Sequence, residues 1–485
     1  MRFPIRFLGA CAAATVIASA GCADDAVPTA LATPDTAAAN SRSTTAVTRI
    51  TVSPSMANIV AGTSVQLAAT GTDRLGHVVT GLTFTRTTSS AAGSASGLVA
   101  GVGAGAATIT ASSSGVFGGA TVTDTVPAPA PTPAPAGSRW VSGYYVGYQR
   151  AQYPETQIDF STMTHIIVGA IQATSTGGVT TDFYIDNTNG PIMATNVSSR
   201  AYAAGRKAIL MLGGDGNSAT LRSAVSDPYR AAFVANLLKT MDYLAYDGID
   251  VDSEPLATSD HAMILQFLND LRAARPSILL TFPIGFVGYL STPDAWYAQI
   301  SAVVDQMNAM TYSMADNWGG WVSWHEAALY DEGSNRPTSI SSTMNYYLKS
   351  GVPAAKLGIG IGAYGSCWQG VSDMRQTLSS TAHVTAGDDE MSYANIMSQY
   401  YTTAAYRRDT VAKASYLSYP TPKGPSACNF VSYEDPTAVA ERGAYVKSAG
   451  LGGAIVWTIG EGHVATAPVG QQDPLVAAAY NSIIP

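Results

Sequence analysis

From residue 140 to the C-terminus, short apolar runs alternate with longer stretches of helical period. The runs lie at 140–148, 165–171, 207–212, 248–254, 278–284, 304–312, 356–364 and 453–459. Between several of them apolar residues recur at helical spacing, as over 229–246 and 260–272. Eight buried strands with helical crossovers predict an α/β fold, a (β/α)8 TIM barrel over 139–485. Such a barrel carries its chemistry at the C-terminal ends of its strands.

The pattern differs upstream. Over 46–126, brief Val/Ile/Thr runs alternate with period two and are separated by Gly and Ser/Asp turns, as at 50–52, 64–67, 107–110 and 120–122. This spacing predicts a small all-β sandwich. Residues 127–135 alternate Pro with Ala or Thr, and 127–138 reads as an extended semi-rigid linker. Residues 23–45 have little to bury and read as a disordered tether. Residues 1–22 have the layout of an export signal: Arg2 and Arg6, then an apolar stretch from Phe7 to Ala18 too short to span a bilayer.

Composition narrows the partners. Charged residues are 12% of the 485 and the net charge is -8, which argues against nucleic acid. An uncharged polymer such as a glycan fits better. Beyond the signal segment and Cys22 at its end, the cysteines are Cys367 and Cys428, and in an oxidising compartment the two invite a disulfide. Two separate buried thiols are the alternative.

The chemistry concentrates in 246–255, Tyr-Asp-Gly-Ile-Asp-Val-Asp-Ser-Glu-Pro. Ile249 and Val251 alternate with Asp250, Asp252 and Glu254. Residues two apart share a face of a strand, so three carboxyls point the same way, into the barrel mouth. Crowding and burial raise the pKa of at least one of them. A carboxyl that keeps its proton near neutral pH is a general acid. Divalent-cation binding is the rival use of such a row, but no His/Cys cluster accompanies it, and neither metal nor cofactor is expected.

The same segment carries the D-x-x-D-x-D-x-E signature of family 18 glycoside hydrolases at Asp247, Asp250, Asp252 and Glu254, and the chain from 140 onward resembles that family. Supporting matches follow in family order: Gly143-Tyr144-Tyr145, Leu212-Gly213-Gly214, Met310-Thr311-Tyr312, Tyr364-Gly365, and Gly452-Gly453-Ala454-Ile455-Val456-Trp457. Three positions depart from the family pattern: Ala170 for Phe, Met211 for Ser, and Ser313 for an Asp that helps hold the sugar, with Asp316 a candidate substitute. Residues 46–126 resemble a bacterial Ig-like domain of the Big type, a spacer or stalk. The segment ending at Cys22 resembles a lipobox, with ordinary cleavage after Ala20 as the alternative.

The family resemblance implies a secreted or cell-surface bacterial chitinase, monomeric, touching membrane only through a lipid anchor. It would act on chitin or N-acetylglucosamine oligomers with retention of configuration. Glu254 would be the acid, Asp252 and Tyr312 would hold the acetamido group, Asp250 would set the charge of Asp252, and Asp247 would be structural. Substrate would meet Trp457, Tyr144, Met310, Gly213, Gly214 and a loop bearing Trp318, Trp321 and Trp324; Trp368, His325 and His463 are further candidates, and His165 reads as core. Relatives carry a cleft-deepening insertion after the seventh strand; 366–388 reads as a short version, which would leave an open cleft favouring internal cutting. Two alternatives stand beside this reading, an endo-β-N-acetylglucosaminidase on N-glycans and a non-catalytic lectin.

Overall fold

The computed structural model describes residues 46–60, 64–88, 92–93, 97–100, 105–125, 139–288, 291–331, 337–379, 384–386 and 390–484. The signal segment at 1–22 with Cys22, the tether at 23–45 and the linker at 127–138 lie outside the described residues.

Eight parallel strands form a closed ring: β1 (Trp140–Val146), β2 (His165–Ala173), β3 (Lys207–Gly214), β4 (Gly248–Ser253), β5 (Leu279–Gly285), β6 (Gln306–Met310), β7 (Leu357–Gly362) and β8 (Gly453–Trp457). Each pairs with its successor, and β1 pairs with both β2 and β8, which closes the barrel. The strands are buried along nearly their whole length, as apolar runs covered on both faces must be.

Helices form the outer layer for the reason the periodicity gave. His261–Ala274 buries Ile264, Phe267, Leu268 and Leu271, and Arg230–Tyr243 buries Phe233, Val234, Leu237 and Met241. These side chains meet the outward residues of the strands, Ile249 and Val251 among them, in one continuous core. A second, smaller cluster fills the barrel interior: Tyr144, Ile167, Ala170, Ile209, Met211 and Ile455. The passage from β1 to β2 has only short 3-10 turns, and the C-terminal helix Pro474–Ile483 packs against β1.

The insertion after β7 is larger than its sequence suggests. Five antiparallel strands lie in the order Val384–Ala386, Gly365–Trp368, Cys428–Tyr433, Ala414–Lys423, Tyr406–Asp409. The expectation of a short insertion is therefore corrected, and the open cleft inferred from it loses its basis. Most of the sheet comes from 406–433, far along the chain from where the insertion begins, so no local pattern near 366–388 reveals it. Cys367 and Cys428 are joined across it, with Cα atoms 5.3 Å apart.

The described residues between 46 and 125 are all-β, with strands gathered around Ile50, Val52, Ile59, Leu67, Val99, Ala107, Ile109 and Val122. Arg49–Ser53 pairs with Ala68–Thr72. A four-stranded sheet runs Met56–Val60, Val116–Thr125, Gly105–Ser113, Thr85–Thr88, and a three-stranded one Ser64–Gln66, Leu98–Ala100, Ala92–Gly93.

Candidate active site

The strand period sorts the signature segment. Ile249 and Val251 face the helices, and Asp250 and Asp252 face the barrel interior, both buried. Glu254 follows directly after β4. Asp247 closes the other end: its carboxylate accepts from the backbone N–H of Ala208 at 2.9 Å and pairs with Lys207 at 3.2 Å, tying β4 to β3.

Asp250 is anchored from two strands. The hydroxyl of Tyr144 donates to its Oδ2 at 2.7 Å, and Thr281 donates to its Oδ1. Burial lifts its pKa to about 6, against the pull of these two bonds. Asp252 and Glu254 share a side-chain hydrogen bond, which requires a proton on one of them. Burial, then the charges of Glu254 and Asp250, push Asp252 well above the usual carboxylate range. Glu254 is raised to about 7, first by burial and then by the charges of Asp215 and Asp250. The pair thus holds a proton near neutral pH, and Oδ1 of Asp252 is buried with no hydrogen-bond partner among the described residues. A buried carboxylate oxygen without a partner retains the capacity to accept a hydrogen bond.

Glycine shapes the surroundings. Gly213 and Gly214 sit at φ 103° and 108°, and a Cβ on Gly213 would lie 2.1 Å from the carbonyl oxygen of Asp252. These glycines let β3 lie against the acid strand. A Cβ on Gly360 of β7 would meet the Tyr312 ring at 2.7 Å, so the ring depends on that gap. Tyr312 and Trp457 stand half-buried around the interior cluster with Met310.

Ser313 does not take the place of a sugar-holding carboxylate. Its hydroxyl bonds Tyr364 at 2.6 Å, and its N–H donates to Oε1 of the buried Glu326 at 2.5 Å. Glu326, not Asp316, is the carboxyl hydrogen-bonded to Ser313; Asp316 accepts from its neighbour Asn317. Burial raises Glu326 to about 7.

Several expected contacts are corrected. Tyr144 is 1% exposed and bound to Asp250, so it positions the acids and is closed off from substrate. Trp324 is fully buried, its indole N–H donating to the Thr338 carbonyl, and Trp368 is buried against Phe430; both are core of the insertion side. His325 is buried against Asp409, and His463 is stacked on Tyr153 and bonded to Asp473, so neither reaches the mouth. Trp318 and Trp321 remain partly exposed, edge to face at 4.6 Å, with Phe286 beyond. His165 is buried, as read from sequence.

Other site residues escaped the sequence. Thr281 lies on β5, and no motif marks it. Tyr184, in a loop with no pattern, accepts from Gln172 at 2.9 Å and forms an exposed edge-to-face pair with Tyr148. Its pKa is raised by burial and by the charge of Asp252. Asp215 had a signal: it directly follows the two glycines of the third-strand motif.

Comparison with known proteins adds to this geometry. The family model for glycosyl hydrolases family 18 matches residues 141–462. Endochitinase 1 of Metarhizium robertsii is 28% identical over 265 residues, which cover 52% of this chain and 60% of that protein. Chitinase A1 of Niallia circulans is 26% identical over 47% of this chain and 37% of its own length. The chain thus spans less than two thirds of these relatives. Among solved structures, the Ostrinia furnacalis Group IV chitinase superposes with a TM-score of 0.59 at 19% identity, over 71% of this chain and 99% of its own. The class V chitinase from Nicotiana tobaccum gives 0.56 at 20% identity, over 70% and 98%. At such identities the superpositions establish the barrel fold.

Proposed function

The chain belongs to the glycosyl hydrolases of family 18, and from that membership we propose that it is a chitinase, hydrolysing β-1,4 linkages between N-acetylglucosamine units with retention. The observation that carries this reading is the acid pair at the end of β4: Asp252 and Glu254 packed together, with Oδ1 of Asp252 buried and without a hydrogen-bond partner among the described residues, where burial raises the pKa of both.

Retaining glycosidases commonly pair an acid with a carboxylate nucleophile, but in this family the substrate assists. Glu254, its proton held by burial, protonates the leaving glycosidic oxygen. The 2-acetamido carbonyl attacks the anomeric carbon. Oδ1 of Asp252 accepts the acetamido N–H and stabilises the oxazolinium ion, and the Tyr312 hydroxyl donates to the acetamido oxygen. Glu254, now a carboxylate, takes a proton from water as it opens the ring. Asp250, tied to Tyr144 and Thr281, fixes the orientation of Asp252 from below. Trp457 floors the cleaved sugar, and Trp318 and Trp321 extend the platform, since pyranose faces stack on aromatic rings.

We place the protein outside the cytoplasm, exported through 1–22 and lipid-anchored at Cys22, with 46–126 an Ig-like spacer holding a monomeric barrel away from the surface. The disulfide supports an oxidising compartment.

The test is hydrolysis of N-acetylglucosamine oligomers by the purified protein, followed as shorter products. Cleavage is expected for acetylated oligomers and none for cellulose oligomers, which share the linkage but have nothing to close the oxazolinium ring. Efficient cellulose cleavage would overturn the mechanism. Glu254→Gln is expected to lower turnover by about 1000-fold or more while leaving oligomer binding within a few-fold, because the proton serves bond cleavage and not stacking. Binding without cleavage by the unaltered protein would instead favour the lectin, for which the Ser313 departure is the main support.

A further inference from the structure

We propose that Asp215 is a positioning residue for the acid: its carboxylate, set beside Glu254 by the pairing of β3 with β4, extends to higher pH the range over which Glu254 keeps its proton. This rests on Glu254 being the general acid of the reaction.

The geometry is a matter of register. Gly213 pairs with Asp252 and Gly214 with Ser253, so Asp215 and Glu254 are the residues that leave these two neighbouring strands at the same end. The loop is held there, because the N–H of Ser218 donates to the carbonyl of Glu254 at 3.2 Å and the N–H of Asn217 to that of Gly214 at 3.2 Å. Glycines at 213, 214 and 216, all at positive φ, turn the chain so tightly that no other side chain lies between 213 and 216. Asp215 itself is exposed at the rim, whereas Asp250 and Asp252 are buried below.

The titratable groups of the mouth come from several elements. Asp250 and Asp252 belong to β4 and Asp215 follows β3, and these act on Glu254; Tyr184, in the loop after β2, and Tyr144, on β1, feel the charge of Asp252. Tyr312, after β6, acts on Tyr144. These groups are acidic or phenolic. A negative charge beside a carboxyl favours its protonated form, and the influence of Asp215 on Glu254 stands ahead of that of Asp250. Unlike Asp250, Asp215 is bathed in solvent, so its influence is open to screening by salt.

The sign follows directly. A general acid must be protonated in the free enzyme, so its pKa sets the basic limb of kcat/KM. Removing a neighbouring negative charge lowers that pKa, and activity is lost at lower pH. In a largely aqueous setting, a unit charge within about a Debye length shifts a pKa by a few tenths to about half a unit.

The experiment measures kcat/KM against pH for acetylated oligomers at low and high salt, using the full protein and its Asp215→Asn and Asp215→Glu variants. The basic limb is expected to move down by about half a unit in Asp215→Asn at low salt, to stay within about a tenth of a unit in Asp215→Glu, and to move down with added salt only where the carboxylate is present. A uniform loss at all pH values with the limb unmoved would overturn the proposal, as would a limb in the Asn variant that coincides with the parent's at low salt. Failure of the parent protein to cleave at any pH would overturn the hydrolase reading itself, which is a separate outcome.

Discussion

At the scale of single residues, the site is a row of carboxyls whose environments separate their roles. Asp250 has two hydroxyl donors, whereas Oδ1 of Asp252 has no hydrogen-bond partner among the described residues, so Asp250 is fixed and Asp252 keeps acceptor capacity. Two departures from the family pattern prove to be neighbours: Ala170, small for Phe, and Met211, large for Ser, share the interior cluster. The methionine sulfur would meet a Cβ on Gly169 at 2.8 Å, so it fills the space beside that glycine. The buried Glu326 gives a stability prediction. Its folded pKa, about 7, is above that of an exposed glutamate, so between about pH 4.3 and 7 the folded state binds more protons than the unfolded one. Stability from this group therefore falls as pH rises through that window. His165, lowered to about 4 by burial, acts in the opposite sense over part of it, so the diagnostic quantity is a difference. Glu326→Gln is expected to reduce the drop in Tm between pH 5 and pH 8 relative to the parent, measured by calorimetry at both pH values. An identical drop in both proteins would show that Glu326 carries no titration of this kind.

At the scale of elements, β4 and the insertion sheet illustrate two kinds of legibility. The period-two alternation of Ile249, Asp250, Val251 and Asp252 is local and was readable, because neighbouring residues of a buried strand must face opposite layers. The sheet after β7 was not, because its central strand, Cys428–Tyr433, pairs with Gly365–Trp368 across a long stretch of chain. The disulfide closes that same stretch, its cysteines 61 positions apart in sequence. Loop-closure entropy for such a span sets an upper bound of about 4 kcal/mol on its contribution. Replacing both cysteines with serine is expected to lower Tm by several degrees and to loosen the insertion before the barrel. Peptide mapping without reductant, combined with hydrogen exchange, checks both statements; two free thiols in the purified protein would contradict the first.

At the scale of the whole molecule, the Pro/Ala composition of 127–138 implies a junction that few contacts cross. A protein beginning at residue 139 is therefore expected to fold and to retain kcat on soluble oligomers within about two-fold, since nothing proposed for the chemistry lies upstream of β1. An insoluble or inactive truncation would show that the all-β segment supports the barrel. The sequence alone determined the eight buried runs, the helical layer, the all-β segment and the acids of the signature, since each is written in residues a few places apart. It misassigned Trp324, Trp368, His325, His463 and Tyr144, because a side chain's exposure depends on partners from distant segments: Thr338, Phe430, Asp409, Asp473 and Asp250 respectively. Which oxygen of Asp252 stays unpartnered, which carboxyl lies beside Ser313, and that Asp215 stands beside Glu254 were decided by strand register and barrel closure. Those are contacts between residues far apart along the chain, on which no periodicity leaves a mark.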